Sequence, residues 1–558
     1  MRILLFSLNS RYIHVAPAPY SLRAGVFAYA REHHDVTVID RTVNDDREAL
    51  LALLRDTPAD LYAFPTYIWN VSLVEWLVPR VKEAHPDAYI VLGGPEVSYD
   101  VPHFLSRLPQ VDFILSGEGE RPFALLADTL AKGGDPSGVV GCSFPKKDGA
   151  LHVSPPYIDT DTPPSPLSAG YAEALEGRIA YIEASRGCPF SCSFCLSGRT
   201  GGVRYFDLDG VKKDILALVK GGSKTVKFVD RTFNSNIKRA REIFSFLLAE
   251  RGKAIPSDVC FHFEMAGELL DEETLALLET VPKGYFQTEI GLQSFSKETL
   301  RAIHRSDRTD GLCENVRRLL ARGNIHTHLD LIAGLPKEGL ASFDHSFNSA
   351  FALRPHMLQV GFLKLLRGAP LRENTRAFPC SFAETPPYTV LSTPDLSEEE
   401  LAVIRLVETG CDRLYNSRRY LKTVERVLAQ GTLSPFRLFA LAGEALEKLP
   451  DGYTLNDEVA MVFEAFRSYI SADALLDAMK EDFVRSNSSC RIPPVLRDES
   501  RAYTDRLREI NACYPPRKGV RRSVVLLSTG EALLTEYGEK DPVTHLYDTL
   551  RITQKTPL

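Results

Sequence analysis

The feature that most constrains the fold is an alternation of short apolar runs with longer amphipathic segments, and it occurs in two separate stretches of the chain. The first stretch covers residues 1–130, and the second covers about residues 180–363. Apolar strands that alternate with amphipathic helices predict a parallel sheet with helices on its faces. The strands predicted for the first stretch are Ile3–Ser7, Val36–Asp40, Leu61–Phe64, Tyr89–Leu92 and Phe113–Leu115.

Glycine-rich turns follow two of these strands. Gly93-Gly94-Pro95 comes after the fourth strand, and Gly117-Glu118-Gly119-Glu120 comes after the fifth. Doubly wound sheets bind ligands beyond the carboxyl ends of their strands, where glycine lets the backbone approach a ligand closely. The second turn lacks the third glycine of a dinucleotide fingerprint and follows the last strand, which disfavours NAD. We therefore predict a ligand-binding doubly wound α/β domain over residues 1–140.

The second stretch predicts a partial barrel over residues 177–375. Six βα units are too few for a complete eight-fold barrel of ~250 residues, so an open barrel fits better. Its predicted strands are Ala180–Ala184, Thr225–Asp230, Val259–Glu264, Phe286–Ile290, Thr327–Ile332 and Leu358–Leu363. A segment rich in Pro, Gly and Asp over 141–176 is predicted to be a linker. Residues 376–558 are predicted to form a mostly helical domain with one strand pair.

The bulk composition narrows the classes of partner. The chain of 558 residues is 44% hydrophobic and carries a net charge of −7, so no global positive field attracts nucleic acid or anionic lipid. The apolar run Ile3–Phe6 is too short for a secretory signal, and no apolar run approaches the ~20 residues of a membrane helix. We predict a cytoplasmic protein without a membrane partner, and nucleic acid is not expected as a partner.

Three of the ten cysteines lie within eight residues, in the stretch Cys188-Pro189-Phe190-Ser191-Cys192-Ser193-Phe194-Cys195. In a reducing compartment, such a group indicates metal binding or redox activity. Thiolates suit iron–sulfur clusters or zinc, but a zinc site needs a second nearby pair of Cys or His. An ordinary [4Fe–4S] carrier uses a fourth thiolate, so three leave one iron open. A thioredoxin-like Cys192/Cys195 pair, or simply packed cysteines, is the alternative.

This triplet resembles the C-x3-C-x-aromatic-C signature of the radical S-adenosylmethionine (SAM) superfamily, with Phe194 as the aromatic residue. Three later segments resemble the superfamily's second, fourth and fifth strand segments: Phe228–Asn234, Glu289–Ser294 and Asp330–Pro336. The resemblance implies a [4Fe–4S] cluster on the three cysteines, with SAM on the open iron and cleaved there to a deoxyadenosyl radical. The SAM contacts implied by the resemblance are Phe194, Asp230, Glu289 and Gln293. Strand-end carboxylates that only cap helices are the alternative for Asp230 and Glu289.

A flavodoxin-like domain placed directly before such a barrel resembles the cobalamin-binding class of the superfamily. Cobalamin mutases carry D-x-H-x-x-G after the first strand, whereas this chain has Tyr12-Ile13-His14-Val15-Ala16-Pro17. The partner that would orient His14 is absent, so we expect cobalamin with its base displaced and His14 not bound to cobalt. A plain loop histidine is the alternative. The residues that the resemblance assigns to the cobalamin site are Asn9, His14, Thr66, Gly93, Gly94, Gly117 and Glu118.

The resemblance covers about residues 1–375 and implies a radical methyltransferase that acts on an unactivated carbon of an unknown substrate. It also implies a low-potential electron donor such as flavodoxin or ferredoxin. Radical rearrangement, cyclisation or oxidation without methyl transfer is the main alternative. A transfer RNA methylthiotransferase would carry a second cysteine triplet in its N-terminal domain, but the first 141 residues contain no cysteine. A non-catalytic cobalamin or redox sensor is a further alternative, but it would not need a whole barrel domain with a cluster loop.

Overall fold

The computed structural model describes residues 1–498 and 500–553. Its N-terminal part is a sheet flanked by helices. The helices are α1 (Ala18–Tyr29), α2 (Arg47–Arg55), α3 (Val71–Ala84), α4 (Val101–Arg107) and α5 (Glu120–Ala131). The strands are β1 (Arg2–Asn9), β2 (Asp35–Thr42), β3 (Leu61–Pro65), β4 (Tyr89–Gly93), β5 (Phe113–Leu115), β6 (Cys142–Pro145) and β7 (Leu151–His152). They lie in the order β2-β1-β3-β4-β5-β6-β7, and the first five are parallel.

This order follows from burial on both faces of the sheet. Every residue of β3 is buried, and β1 is buried from Ile3 to Asn9, as expected of central parallel strands covered by helices. Separate apolar clusters fill the two faces. The order 2-1-3-4-5 of the parallel strands is a doubly wound order, so the predicted α/β domain is confirmed.

The predicted linker is partly wrong. Residues 142–145 and 151–152 add β6 and β7 to the sheet edge as antiparallel strands, with Ile114 paired to Ser143. Tyr157 then bridges to Gly117 in parallel. The boundary at residue 140 therefore cuts through one sheet. Short edge strands amid Pro and Gly carry little periodicity of their own, because their pairing with β5 is what specifies them.

The second part contains β8 (Ala180–Ile182), β9 (Ser185–Gly187), β10 (Val203–Tyr205), β11 (Thr225–Phe228), β12 (Cys260–Met265), β13 (Phe286–Gln293), β14 (His326–Ala333) and β15 (Met357–Phe362). Its helices are α6 (Leu208–Lys220), α7 (Ile237–Glu250), α8 (Glu272–Glu279), α9 (Lys297–Ala302), α10 (Thr309–Ala321), α11 (Leu340–Ala352) and α12 (Pro370–Glu373). Six parallel strands lie in the order β15-β14-β13-β12-β11-β8, so the predicted partial barrel is confirmed. Burial alternates along β13 and β14, which separates a helix-facing apolar set from an interior polar set.

The C-terminal part begins with β16 (Ser381–Phe382) and β17 (Val390–Ser392). Its helices are α13 (Glu398–Gly410), α14 (Leu421–Leu428), α15 (Pro435–Leu446), α16 (Leu455–Phe466), α17 (Ala472–Ser486) and α18 (Arg501–Cys513). The last strands are β18 (Arg522–Leu526), β19 (Ala532–Glu536) and β20 (Thr549–Ile552). The predicted helical character is confirmed, and the structure adds β16, β17 and β20 to the one predicted strand pair. Helices α13 and α15 approach closely, because a Cβ on Gly443 would lie 2.0 Å from the Leu406 carbonyl oxygen.

Among the described residues, no helix combines the length and the apolar character that crossing a membrane requires.

Three histidines lie together at the N-terminal end of β14, where the barrel contacts the C-terminal segment. The rings of His326 and His356 are 5.2 Å apart, and those of His326 and His545 are 5.4 Å apart. The His326 ring donates to the Val543 carbonyl, and His356 Nδ1 accepts from the Thr327 amide. Burial lowers the pKa of His326 to about 4 and that of His356 to about 3. Both rings are therefore neutral in the folded protein at neutral pH.

We expect this contact to weaken as the pH falls below about 6.5. Between that pH and the lowered pKa values, the unfolded chain binds more protons than the folded one. The free energy of unfolding therefore decreases as the pH decreases. At pH 5, each histidine costs up to about 2 kcal/mol. The melting temperature measured between pH 7.5 and 5.0 should fall less steeply in His326→Asn than in the wild type. The exposed control His33→Asn should keep the wild-type slope, and equal slopes in all three proteins would contradict the prediction.

Candidate functional site

The three-cysteine loop starts where β9 ends and is held from below by Asp230. The Asp230 carboxylate accepts from the Ala184 amide at 2.9 Å and from the Ser185 hydroxyl at 2.5 Å. The side chain of Asp230 is buried, and burial raises its pKa to about 7. Further along the loop, the Ser193 amide donates to the Ile303 carbonyl at 3.1 Å. The loop is thus fixed to the barrel before and within the triplet.

The three thiols line one cavity at the carboxyl end of the barrel strands. Cys188 Sγ lies 3.4 Å from Thr232 Oγ1, and Cys195 Sγ accepts from the Ser197 amide at 3.4 Å. Cys192 Sγ accepts from the Arg305 guanidinium at 3.8 Å. Burial raises the pKa of the Cys192 thiol, and the Arg305 cation opposes that shift. Each sulfur therefore has a polar neighbour, and the Arg305 cation lies beside Cys192.

The cavity has a volume of about 220 Å³. Three of the predicted SAM residues, Phe194, Glu289 and Gln293, line it together with the thiols. Gln293 has a φ of +68°, an uncommon conformation for a residue other than glycine. Its Oε1 is buried and has no hydrogen-bond partner among the described residues. A strained residue with an unsatisfied acceptor beside three thiols is typical of a ligand site.

Behind the thiols, the barrel interior holds a group of carboxylates and imidazoles. Glu289 lies 3.4 Å from His262 and 3.5 Å from His328, and His328 lies 2.5 Å from Asp330. Hydrogen bonds from His262 and His328 lower the pKa of Glu289. Burial alone would lower the pKa of His328, but its carboxylate neighbours raise it to about 9. Burial raises the pKa of the adjacent Glu264 to about 7.

These atoms lie close enough for a metal ion, since one ligand atom each from Glu289, His328 and Asp330 falls within 4.8 Å of the others. The two ring nitrogens of His328, however, face different carboxylates. An imidazolium that bridges two carboxylates satisfies this geometry without an ion. We therefore describe the group as an internal ion network that holds Glu289 and Asp330 at the cavity.

The structure shows Asp230 bonded to the cysteine loop, and its assignment to SAM stays a prediction. Both carboxylate oxygens are occupied by the loop that carries the cysteines, and Asp230 is absent from the described lining of the cavity. The sequence pattern places Asp230 at the end of a strand, as observed, but it does not indicate in which direction the side chain of Asp230 points. Its role is to anchor the loop from below.

A second cavity, of about 320 Å³, lies beyond the carboxyl ends of β3, β4 and β5. Residues of α1 and of both predicted turns line it, including Gly93, Gly94, Gly117 and Glu118. Glu183 and Arg186 from the barrel side complete the wall. This volume lies within the range of small-ligand sites, which is about 300–1,000 Å³.

The turn glycines are required for a different reason from the predicted one. Gly94 and Gly117 have φ values of +107° and +89°. A Cβ on Gly94 would lie 2.5 Å from the Thr66 carbonyl oxygen, and one on Gly117 would lie 2.1 Å from that of Tyr157. The close approach is therefore to the neighbouring backbone, which shapes the cavity wall, and not to the space of a ligand.

Two of the predicted cobalamin residues make hydrogen bonds inside the protein, and their assignment to cobalamin stays a prediction. Asn9 is buried, donates to Asp40 at 3.2 Å and accepts from the Ala16 amide at 2.9 Å. Thr66 is also buried; its amide donates to the Gly93 carbonyl and its hydroxyl to the Phe64 carbonyl. Both side chains form hydrogen bonds inside the protein, and neither is in the described lining of the cavity.

His14 lies in the seam between the N-terminal sheet and the barrel. Its Nδ1 hydrogen-bonds with the Tyr181 hydroxyl at 2.6 Å, and its backbone bridges to Ile179. Burial lowers the pKa of His14, and nearby Lys227 adds to this effect. It is absent from the described lining of the N-terminal cavity. The prediction that His14 does not bind cobalt stays a prediction.

Several cavity residues were missed from the sequence. Arg305 and Thr232 contact the thiols, and Glu264 lines the same cavity. Glu264 pairs with Glu289 across β12 and β13, so its register could have indicated it. Arg186 was also missed, although it precedes the first cysteine by two residues. Nothing in the local pattern indicates Arg305, which comes from a loop after α9.

The residues present fit the predicted cofactors. Three thiols with a neighbouring guanidinium suit an iron–sulfur cluster, and the unsatisfied Gln293 Oε1 offers a polar contact to a further ligand at the same cavity. The N-terminal cavity has the apolar floor and polar rim that suit part of a larger cofactor. In both places the fit is carried by residues of this chain.

Three family models match successive parts of the chain. The model of the B12 binding domain matches residues 24–127, and that of the Radical SAM superfamily matches residues 182–350. The model of a family described as a protein of unknown function, DUF4080, matches residues 376–514. The three matched ranges fall in the N-terminal sheet, in the barrel and in the C-terminal part, respectively.

The chain is also similar to individual proteins. A cobalamin-dependent radical SAM methyltransferase, TokK, from Streptomyces tokunonensis is 28% identical over 374 residues, which cover 62% of this chain and 53% of the relative. The chain thus spans about half the length of the curated relatives it matches.

Two solved structures share the fold. The radical SAM methyltransferase TsrM from Kitasatospora setae has a TM-score of 0.57 at 18% identity, over 69% of this chain and 79% of that one. The cobalamin-dependent SAM radical enzyme OxsB has a TM-score of 0.58 at 14% identity, over 86% of this chain and 78% of that one. One chain thus combines a B12 binding domain in the N-terminal sheet, a Radical SAM domain in the barrel that carries the three-cysteine loop, and a DUF4080 region.

Proposed function

We propose that this protein is a cobalamin-dependent radical SAM enzyme that methylates an unactivated carbon. The observation that carries the proposal is the pair of cavities on one chain: the thiol cavity of the barrel and the cavity of the B12-binding sheet. When bound, the cluster and SAM supply the radical chemistry and cobalamin supplies a methyl carrier. The protein's own part is to bind, orient and exclude water.

Cys188, Cys192 and Cys195 are proposed to hold the [4Fe–4S] cluster, with the Arg305 cation beside Cys192. Phe194, Glu289 and Gln293 are proposed to contact SAM, because they line the same cavity. His328 keeps the Glu289 carboxylate ionised and oriented through the contact at 3.5 Å. Glu289 can then accept hydrogen bonds from a ligand, since its position is held by two imidazoles.

Gly93, Gly94, Gly117 and Glu118 are proposed to form the cobalamin site. The glycines let the turns fold back on neighbouring backbone, which leaves the cavity open beyond β3 to β5. His14 is proposed to stay away from cobalt, because its Nδ1 is engaged by Tyr181 at 2.6 Å. The cofactor would then be bound with its base displaced.

We further propose that the enzyme works in the cytoplasm with a low-potential donor such as flavodoxin or ferredoxin. The ten cysteines are all free thiols, as expected in a reducing compartment. The proposed division of labour assigns cobalamin to the N-terminal sheet and the radical chemistry to residues 177–375. The role of residues 376–558 in choosing the substrate is part of the same proposal.

The reaction products test the proposal. The reconstituted protein, given cobalamin, SAM and dithionite, is expected to form both 5′-deoxyadenosine and S-adenosylhomocysteine, as measured by liquid chromatography. Cleavage of SAM at the cluster yields the first product, and methyl donation yields the second. A protein without added cobalamin serves as the control and should form deoxyadenosine alone.

The two products separate the alternatives. The cobalamin-loaded protein could turn a substrate over and form deoxyadenosine but no S-adenosylhomocysteine. That result would favour rearrangement, cyclisation or oxidation. If a protein with full iron and cobalamin content formed neither product, the proposed function would be refuted.

A further inference from the structure

A partly buried arginine, Arg186, lines the N-terminal cavity close to the first cysteine of the barrel cavity. Arg186 lies on β9, two residues before Cys188, and its guanidinium reaches the turn that closes the N-terminal cavity. It donates to Glu118 at 2.8 Å and to Glu120 at 2.6 Å, and it also donates to Glu183 of the barrel at 2.8 Å. One side chain therefore spans the seam between the two sites.

The charges around Arg186 are buried and interlocked. Arg204 on β10 adds a second guanidinium and donates to Glu118 at 2.6 Å. The side chains of Arg186, Glu118 and Glu120 are 19%, 12% and 8% exposed. Buried pairs are screened little, and removal of one partner leaves an uncompensated charge. Without Arg186, its three carboxylates would share only Arg204, and their mutual repulsion would open the seam.

A second contact holds the other turn of the N-terminal cavity independently. Glu96 accepts from the Tyr388 hydroxyl and lies 3.4 Å from Arg367, and Arg367 also pairs with Asp100. Both partners come from the segment that follows β15. A protein without Arg186 would therefore keep its two halves together at this contact, while the Gly117–Glu120 turn moves.

We propose that Arg186 is a positioning residue that sets the distance between the cobalamin site and the cluster site. The proposal rests on the proposed function, because it requires both cofactors. A substrate carbon has to come within reach of both sites in turn. A misplacement of about 1 Å costs about 100-fold in rate, so a rigid spacer between the sites has a large effect.

The bidentate geometry explains why an arginine is needed. Its planar fork presents five donors and can bind several carboxylates at once, whereas a lysine ammonium is a single point charge. In this chain Nη1 contacts Glu118 and Nη2 contacts Glu120 and Glu183. Arg186→Lys would keep the charge but lose the fork, so its effect should lie between those of wild type and Arg186→Gln.

The test compares Arg186→Gln and Arg186→Lys with the control Arg318→Gln. Arg318 also joins two glutamates, Glu272 and Glu279, but on the outside of the barrel. Pulsed electron paramagnetic resonance on the loaded, reduced protein measures the distribution of distances between cobalt and the cluster. We expect a broader distribution in Arg186→Gln and a ratio of S-adenosylhomocysteine to deoxyadenosine at least about tenfold lower. Cobalamin is added at saturating concentration, so that the iron and cobalamin contents of the Arg186 variants should match the wild type. Both readouts in Arg318→Gln should match the wild type as well.

A milder variant guards against misfolding. Glu120→Gln keeps a hydrogen-bond acceptor for Arg186 and removes one buried charge, and it should broaden the distances less than Arg186→Gln. An unchanged distribution and product ratio in both variants would overturn the inference. Loss of cobalamin from both variants would also overturn it, because Arg186 would then serve binding and not spacing. A wild type that binds no cobalamin or no cluster would instead contradict the proposed function.

Discussion

Replacement of Cys188, Cys192 and Cys195 by alanine is expected to remove essentially all iron from the anaerobically reconstituted protein. The wild type should hold about four irons per chain, as a [4Fe–4S] cluster does. The three thiols line the barrel cavity, and Arg305 lies 3.8 Å from one of them. Without them, no thiol remains among the residues described as lining that cavity, and clusters of this type are held by thiolates. Iron analysis and the visible absorption of the cluster measure the loss.

A second triple variant provides the matched control. Cys380, Cys490 and Cys513 are partly or fully exposed, and none of them lines the cavity as described. Their replacement by alanine should leave the iron content and deoxyadenosine formation unchanged. Retention of iron by the first variant, or loss of iron from the control, would show that the cluster has been assigned to the wrong cysteines.

Replacement of Gly117 by alanine is expected to weaken cobalamin binding by at least about tenfold, which is about 1.4 kcal/mol. The new Cβ would lie 2.1 Å from the Tyr157 carbonyl oxygen, so the turn and the segment around Tyr157 have to separate. The left-handed conformation at +89° adds a strain of about 1–2 kcal/mol for a residue with a side chain. Cobalamin titration of the full-length protein measures the affinity.

Gly133→Ala isolates the effect of the collision. Gly133 also has a left-handed φ, +62°, but a Cβ there meets nothing within 4 Å. This variant should carry the backbone strain and keep its cobalamin affinity. Equal affinities in the two variants would mean that the contact between Gly117 and Tyr157 does not shape the cobalamin site.

The C-terminal region is built onto the barrel rather than appended to it. A single apolar core runs from the barrel strands into the C-terminal helices. The π-helical turn Cys411–Asn416 lies beside β15, and the Asn416 side chain bonds to both backbone groups of Leu358. Arg418 donates to the His356 carbonyl at 2.9 Å. A change in this region therefore acts on the barrel directly.

The sequence by itself determined the architecture of the two sheets. Strand and helix periodicities are local properties, so the alternation indicated both the doubly wound domain and the open barrel, with strand positions close to those observed. The cysteine spacing is equally local, and it located the loop that lines the barrel cavity. The two glycine turns were placed correctly at the wall of the N-terminal cavity for the same reason.

Only the tertiary structure decided which polar side chains face the cavities. Asp230, Asn9 and Thr66 stand at strand ends, as the pattern indicated, but each turns to a backbone or side-chain partner inside the protein. Arg186 meets Glu118 and Glu120, which precede it by more than sixty residues. The pairing of β6 with β5 was hidden for the same physical reason. Such contacts depend on surfaces that come together only after the elements have packed, and no local periodicity encodes them.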